Sequence, residues 1–160
     1  MMSSKLQSRA KEIIDGLEYV TISTADADGE PWGSPVTAFH DEDYNFYWIS
    51  WVEAQHSQNI RNNRRAFITI FDSKRQRGDN HRRGVYVQAS AEQIDDEQMA
   101  SEALQHFHSN NRTYELIDHV GNAVKRVFKA TPKRMWLNNL SEKQVTEKTT
   151  DMRIEVPLPL

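Results

Sequence analysis

Residues 44–71 read YNFYWISWVEAQHSQNIRNNRRAFITIF: a strand, a short polar joint and a second strand. The first part alternates. Phe46, Trp48 and Ser50 fall on one face, Tyr47, Ile49 and Trp51 on the other, which is the period-2 mark of an extended chain with two different sides. Residues 52–63 are polar and of helical length. Residues 65–71 alternate again, with Ala66, Ile68 and Ile70 against Phe67, Thr69 and Phe71. The joint carries the chemistry. The first strand ends in the hydroxyl of Ser50, and the polar segment adds His56, Ser57, Gln58, Asn59 and Arg61. A hydroxyl, a guanidinium fork and the N–H groups of a helix start together suit an anion such as a phosphate. The same residues also fit an ordinary strand–helix–strand connection with a polar surface.

Upstream, residues 3–17 place Leu6, Ala10, Ile13, Ile14 and Leu17 at helical spacing, with Ser3 or Ser4 as cap and Gly16 as stop. Residues 19–24 form a β-branched strand, and 26–29 a turn ending in Gly29. The returning strand, 32–39, is flanked by Pro31 and contains Pro35, so it lies at an edge or is bulged. Its middle, Gly33-Ser34-Pro35-Val36-Thr37, has side chains small enough for a flat ligand to lie against backbone.

Downstream, residues 72–84 form a loop too charged to be buried and long enough to cover a site. Residues 85–94 read as a strand. Asp95 and Gln98 then suggest a capping box for a helix whose apolar face is Met99, Ala103, Leu104 and Phe107. His106 and His108 lie two apart and share no helix face, so they read as surface residues and not as metal ligands. Residues 113–129 suggest a helix broken near Gly121 and ended by Thr131-Pro132. Met135-Trp136-Leu137 reads as a last core strand. The tail, 141–160, suggests a loose arm or a segment packed on a partner subunit.

The sum is an α+β domain over residues 1–140, an antiparallel six-stranded split β-barrel with flanking helices, followed by the tail. A chain of 160 residues can bury a real core, and it has no Cys for disulfides, thiolate metal sites or a thiol nucleophile. It carries no apolar signal core and no apolar run of spanning length, which points to a cytoplasmic protein without a membrane contact. Charge is unevenly laid out. Residues 1–60 hold three basic and ten acidic side chains, whereas 61–83 hold eight basic and two acidic. Such a patch suits an anionic ligand or partner. The sequence has no GxGxxG after a strand, no Walker-type loop, no GxSxG and no HExxH.

Four stretches in this order, YVTISTADADGEPWGSPV (19–36), YNFYWIS with HSQNIRNNRRAFITIF (44–71), VYVQASAEQIDDE (85–97) and FKATPKRMWL (128–137), make the chain resemble the pyridoxamine 5′-phosphate oxidase-like family of FMN-binding split barrels. The resemblance implies a homodimer with FMN at the interface. Ser34, Pro35, Val36 and Thr37 would line the isoalloxazine, largely through backbone. Ser50, His56, Asn59 and Arg61 would hold the phosphate end, and Trp136 would approach from the second subunit. His56 stands where many members have Lys or Arg, and Arg61, Arg64 and Arg65 offer charge nearby. The tail lacks the Arg-rich region of true pyridoxamine phosphate oxidases, so the resemblance implies an FMN-dependent oxidoreductase with another, unknown small-molecule substrate and names no catalytic residue.

Two other readings share the pattern. In one, the same barrel holds haem or a deazaflavin, with His40, His56, His81 or His119 as a contact. In the other, a small barrel binds single-stranded nucleic acid through the basic patch and exposed aromatics, a reading opposed by the acidity of the rest of the chain.

Overall fold

The computed structural model describes residues 2–72, 83–107, 113–138 and 153–160. The order is α1 (Met2–Asp15), β1 (Tyr19–Ala25), β2 (Pro31–Thr37), β3 (Phe39–His40), β4 (Phe46–Trp51), α2 (Gln55–Asn62), β5 (Arg65–Phe71), β6 (Gly84–Ile94), α3 (Glu97–Gln105), a 3-10 turn at Leu116–Asp118, β7 (Lys125–Asn138) and β8 (Arg153–Val156). All of the strand pairs are antiparallel, in the order β2-β1-β5-β6-β7-β4-β3, with β8 on β7.

That order forces the sheet to curl. β2 and β3 are its two ends, yet only Ala38 separates them in the chain. The ends of a seven-strand path must therefore sit side by side, which a flat sheet cannot do. The inward residues make one core: Val20 and Ile22, Phe46 and Trp48, Ile68 and Ile70, Val85 and Val87, Phe128, Met135 and Leu137, with Ile13 and Ile14 of α1 packed into it. Trp48 stacks on Phe128 with ring centroids 5.5 Å apart. A second cluster lies outside the barrel, where α3 packs Ala100, Ala103 and Leu104 over Tyr47, Ile94 and Val127. The alternation expected for residues 44–51 is thus realised, with one face toward each core.

The α+β split barrel is the expected fold, but its described residues form eight strands and not six. The two added strands are β3, split from the expected strand at 32–39, and β8 in the tail, and β7 is longer than expected. Residues 125–138 form one long strand where a helix was expected up to residue 129. Val127 and Phe128 are both buried, one toward α3 and one toward the barrel, and a strand buried on both faces loses its alternation. Pro132 does not end a helix. It lies in the strand beside a register shift, where Gln88 pairs with Arg134 and Ala89 with Pro132, and a bulge is where a strand tolerates proline. Asp96, not Asp95, caps α3, accepting from the Met99 N–H at 2.8 Å. Asp95 is drawn away by the Gln93 side chain at 2.6 Å.

The last part of the tail forms β8 on the same chain's β7, and Leu158 and Leu160 pack against the main core. The charged loop expected at 72–84 falls, apart from its ends, outside the described residues, as do His81 and His108.

Candidate functional site

At one end of the barrel the inward face turns polar. Along β1 the inward series runs Val20, Ile22, Thr24; along β2, Val36, Ser34; along β4, Phe46, Trp48, Ser50. The antiparallel order puts these polar positions toward the same end of the barrel: Ser34 pairs with Ile22, two residues before Thr24, and Ser50 pairs with Arg126 at the start of β7. Helix α2 packs on β1, β2 and β6 across this end. It closes the barrel with a polar face: His56, Ser57 and Asn59 are buried beside Ile60.

Two hydrogen bonds tie the buried face of α2 to β4 and β1. His56 Nε2 lies 2.8 Å from Ser50 Oγ. Asn59 Nδ2 donates to Thr24 Oγ1 at 3.1 Å, while its Oδ1 accepts from Gln55 Nε2 at 2.8 Å. His56 and Asn59 are three apart and so share one helix face. On β2, the indole N–H of Trp32 donates to Ser34 Oγ at 3.1 Å. Thr24, Trp32 and Gln55 belong to this cluster and were not singled out in the sequence. Thr24 reads there as one more β-branched strand residue, and only the pairing of β1 with α2 gives its hydroxyl a role.

His56 is only 8% exposed, and its ring edge meets Phe128 at 6.5 Å. Burial lowers its pKa from the usual histidine value, so the ring is neutral at pH 7. Ser57 Oγ is fully buried and has no hydrogen-bond partner. Ala54 occupies the N-cap of α2 and supplies no side-chain cap. The first turn of α2 therefore has N–H groups that no capping side chain satisfies. A hydroxyl, an imidazole and the start of a helix fit a phosphate as a set of hydrogen-bond donors, with no fixed cation among them.

The arginines do not add that charge. Arg61 turns away, donating to the Val52 carbonyl at 2.8 Å and to Gln93 Oε1 at 3.3 Å. Arg64 pairs with Glu92 at 2.9 Å, and Arg65 bonds Asn63. Arg83, at the far end of the basic stretch, pairs with Glu12. Each of the four described arginines of that stretch is bonded within its own chain.

β2 is an end strand of the sheet, so its backbone has one edge that β1 does not pair. Pro35 points outward, and Val36 packs against the core. Trp136 sits elsewhere. It lies on the outer face, stacked with Phe67 at 6.4 Å and under Arg134 at 4.8 Å. Ser50 is in register with Arg126, ten positions before Trp136, which is roughly 30 Å of strand. Within one chain Trp136 is thus remote from Ser50.

The remaining histidines are placed differently. His40 lies 3.1 Å from Asp15 through Nε2 and 3.0 Å from the Asp41 carbonyl through Nδ1. His119 is buried, and its Nδ1 has no partner. Among the described residues no group of three or more His, Asp or Glu is set to hold a metal ion, and no helix is long and apolar enough to cross a membrane.

The curled antiparallel half-barrel with its helices is a split-barrel-like fold. Residues 6–139 match the family model described as pyridoxamine 5′-phosphate oxidase, and the chain belongs to that family. No curated protein matches the sequence. Among solved structures, the chain is similar to the haem storage protein HutZ from Vibrio cholerae at 17% identity and a TM-score of 0.66, over 82% of this chain and 94% of that one. It is similar to ChuZ from Campylobacter jejuni at 14% identity and a TM-score of 0.67, over 82% of this chain and 54% of that one. A Listeria innocua protein provisionally assigned as a pyridoxamine 5′-phosphate oxidase matches at 15% identity and a TM-score of 0.62, over 86% of this chain and 98% of its own. At these identities the likenesses concern the fold.

Proposed function

We propose that the chain is a homodimeric FMN-binding protein that acts as a flavin-dependent oxidoreductase on a small molecule. The observation that carries this reading is the pairing of Ser50 with His56 at the uncapped start of α2. The two side chains and the first-turn N–H groups would hold the phosphate. The free edge of β2 at residues 33–37 would offer backbone N–H and C=O groups to the rim of the isoalloxazine. When bound, the flavin would supply the redox chemistry, and the protein supplies position, electrostatics and exclusion of water. Asn59 acts through Thr24 and Gln55, fixing α2 against β1 so that Ser50 and His56 keep their spacing. Arg61 steadies the loop before α2 through Val52 and is a positioning residue in this reading.

The test is the visible absorption spectrum of the purified protein before and after incubation with FMN and removal of the excess. A retained flavin spectrum is expected, weakened at least tenfold in affinity by Ser50→Ala, which removes one hydrogen bond to a charged group. A haem band in place of a flavin band would replace this reading with the haem one, for which His119 is the buried, unpartnered candidate. A protein that takes up neither chromophore would overturn both.

A further inference from the structure

We propose that this site takes its ligand as a phosphate monoester dianion together with one proton, which settles on His56. The inference rests on the reading of Ser50 and His56 as the phosphate end of the flavin site. It starts from what surrounds the ring. His56 Nε2 and Ser50 Oγ are 2.8 Å apart, and the other neighbour that can be named is the edge of Phe128. Of the strands packed on α2, β1 and β2 contain no charged residue. β6 contributes Glu92, which is paired with Arg64. On α2 itself Arg61 is bonded to Val52 and Gln93. On β7, Arg126 opposes Ser50 in register, but its guanidinium is bonded to the carbonyls of Gly121, Ala123 and Lys125 and faces Asp95. Burial alone moves the ring's pKa, and it moves it down.

A neutral imidazole in such a place is held only by the cost of charging it in a buried setting. A dianion at Ser50 removes that cost, because an opposite charge within a few ångströms favours the protonated ring. The flavin monoester has a second pKa of about 6, so above neutral pH the free ligand and the free His56 carry no exchangeable proton between them. The complex carries one, drawn from solvent. Binding then weakens as pH rises, approaching tenfold per unit while the complex keeps the proton. A ligand without a monoester lacks the second negative charge that raises the ring's pKa.

FMN binding is followed by quenching of flavin fluorescence from pH 6.5 to 9. At pH 7.5 it is also followed by calorimetry in two buffers of different ionisation heat. Riboflavin serves as the ligand without phosphate. Expected are an FMN affinity that falls several-fold per unit, uptake approaching one proton per FMN, and riboflavin binding that is weaker and flat with pH. His56→Lys, with a cation that persists to pH 9, flattens the profile while FMN still binds. His56→Gln flattens it at lower affinity. FMN binding that is flat with pH and takes up no proton in the unmodified protein overturns the inference and leaves the FMN reading standing. Failure to bind FMN at any pH overturns both.

Discussion

At the scale of single residues, this barrel end is held by polar groups whose partners are few and specific. Asn59 is 2% exposed and is bonded on both sides of its amide. Asn59→Ala leaves the buried Thr24 hydroxyl without this bond, whereas Gln55 is exposed and can turn to water. The substitution's expected cost is about 1–3 kcal/mol, read as a lower urea midpoint with an unchanged slope. The histidines set the acid response of the free protein. Burial lowers the pKa of both His56 and His119 in the fold; at His119, Asp118 opposes the shift while Lys125 and Arg126 add to it. Below about pH 6.5 the unfolded chain therefore binds protons that the folded chain resists, and stability falls as pH falls through that value. Melting temperature should drop between pH 7 and pH 5, and replacing both histidines with Gln should flatten the drop. Saturating FMN should shrink it at His56, because the ligand raises that ring's pKa. An equal drop with and without FMN would count against the proton-coupled site.

At the scale of elements, the turn between β3 and β4 shows how one side chain can fix a connection. The Asp41 carboxylate accepts from the N–H groups of Asp43 and Asn45, from the Asn45 amide and from the Tyr47 hydroxyl, at 2.8 to 3.0 Å. Burial alone would raise the carboxyl's pKa, but the bonds from Asn45, Tyr47 and Asp43 bring it below its ordinary value. This contribution is present above about pH 4 and is lost as pH falls below it. The same turn places Tyr44 at φ 59°, a left-handed conformation that a non-glycine residue rarely adopts. Asp41→Ala should cost roughly 2 kcal/mol, and Asp41→Asn should recover part of it, as measured by denaturant unfolding at pH 7. β8 is held differently. Val156 is buried in the main core, and Leu158 and Leu160 pack against it. A chain ending at residue 152 uncovers this patch, and its melting temperature should fall by several degrees. A truncated chain as stable as the full one would show that β8 contributes little to the core.

At the scale of the whole molecule, what the sequence discloses follows burial. Strands with one more open face, β1 and β5, show their alternation plainly. Ser50 at the end of β4, and His56 and Asn59 in the polar segment after it, stand close together in the sequence, and α2 brings them together in space. β7 was not legible, because α3 covers its outer face at Val127 and a bulge absorbs Pro132. Arg61 misled because a basic residue beside a site looks free in a sequence, whereas its bonds to Val52 and Gln93 appear only once β6 is beside α2. One feature of the assembled barrel has no counterpart in local pattern. On the outer face of β5, β6 and β7, Phe67, Tyr86 and Trp136 belong to neither core cluster. Arg153 lies 3.7 Å above the Tyr86 ring, and Phe71 on the same face of β5 is 49% exposed. Among the described residues no helix covers this aromatic face, and such a face suits the association that the proposed dimer requires. Trp136 belongs to it, and along the chain it is remote from Ser50, so it can meet a flavin held at Ser50 only if the flavin's other wall is a second copy. In the proposed reading an interfacial cofactor that Trp136 contacts therefore requires the homodimer. Sedimentation of the unmodified protein should give a dimer. A Phe67→Glu, Trp136→Glu double variant should sediment as a folded monomer, with native circular dichroism and FMN retention reduced at least tenfold. A monomer that keeps full FMN affinity would show that the site is complete within one chain and would remove Trp136 from it.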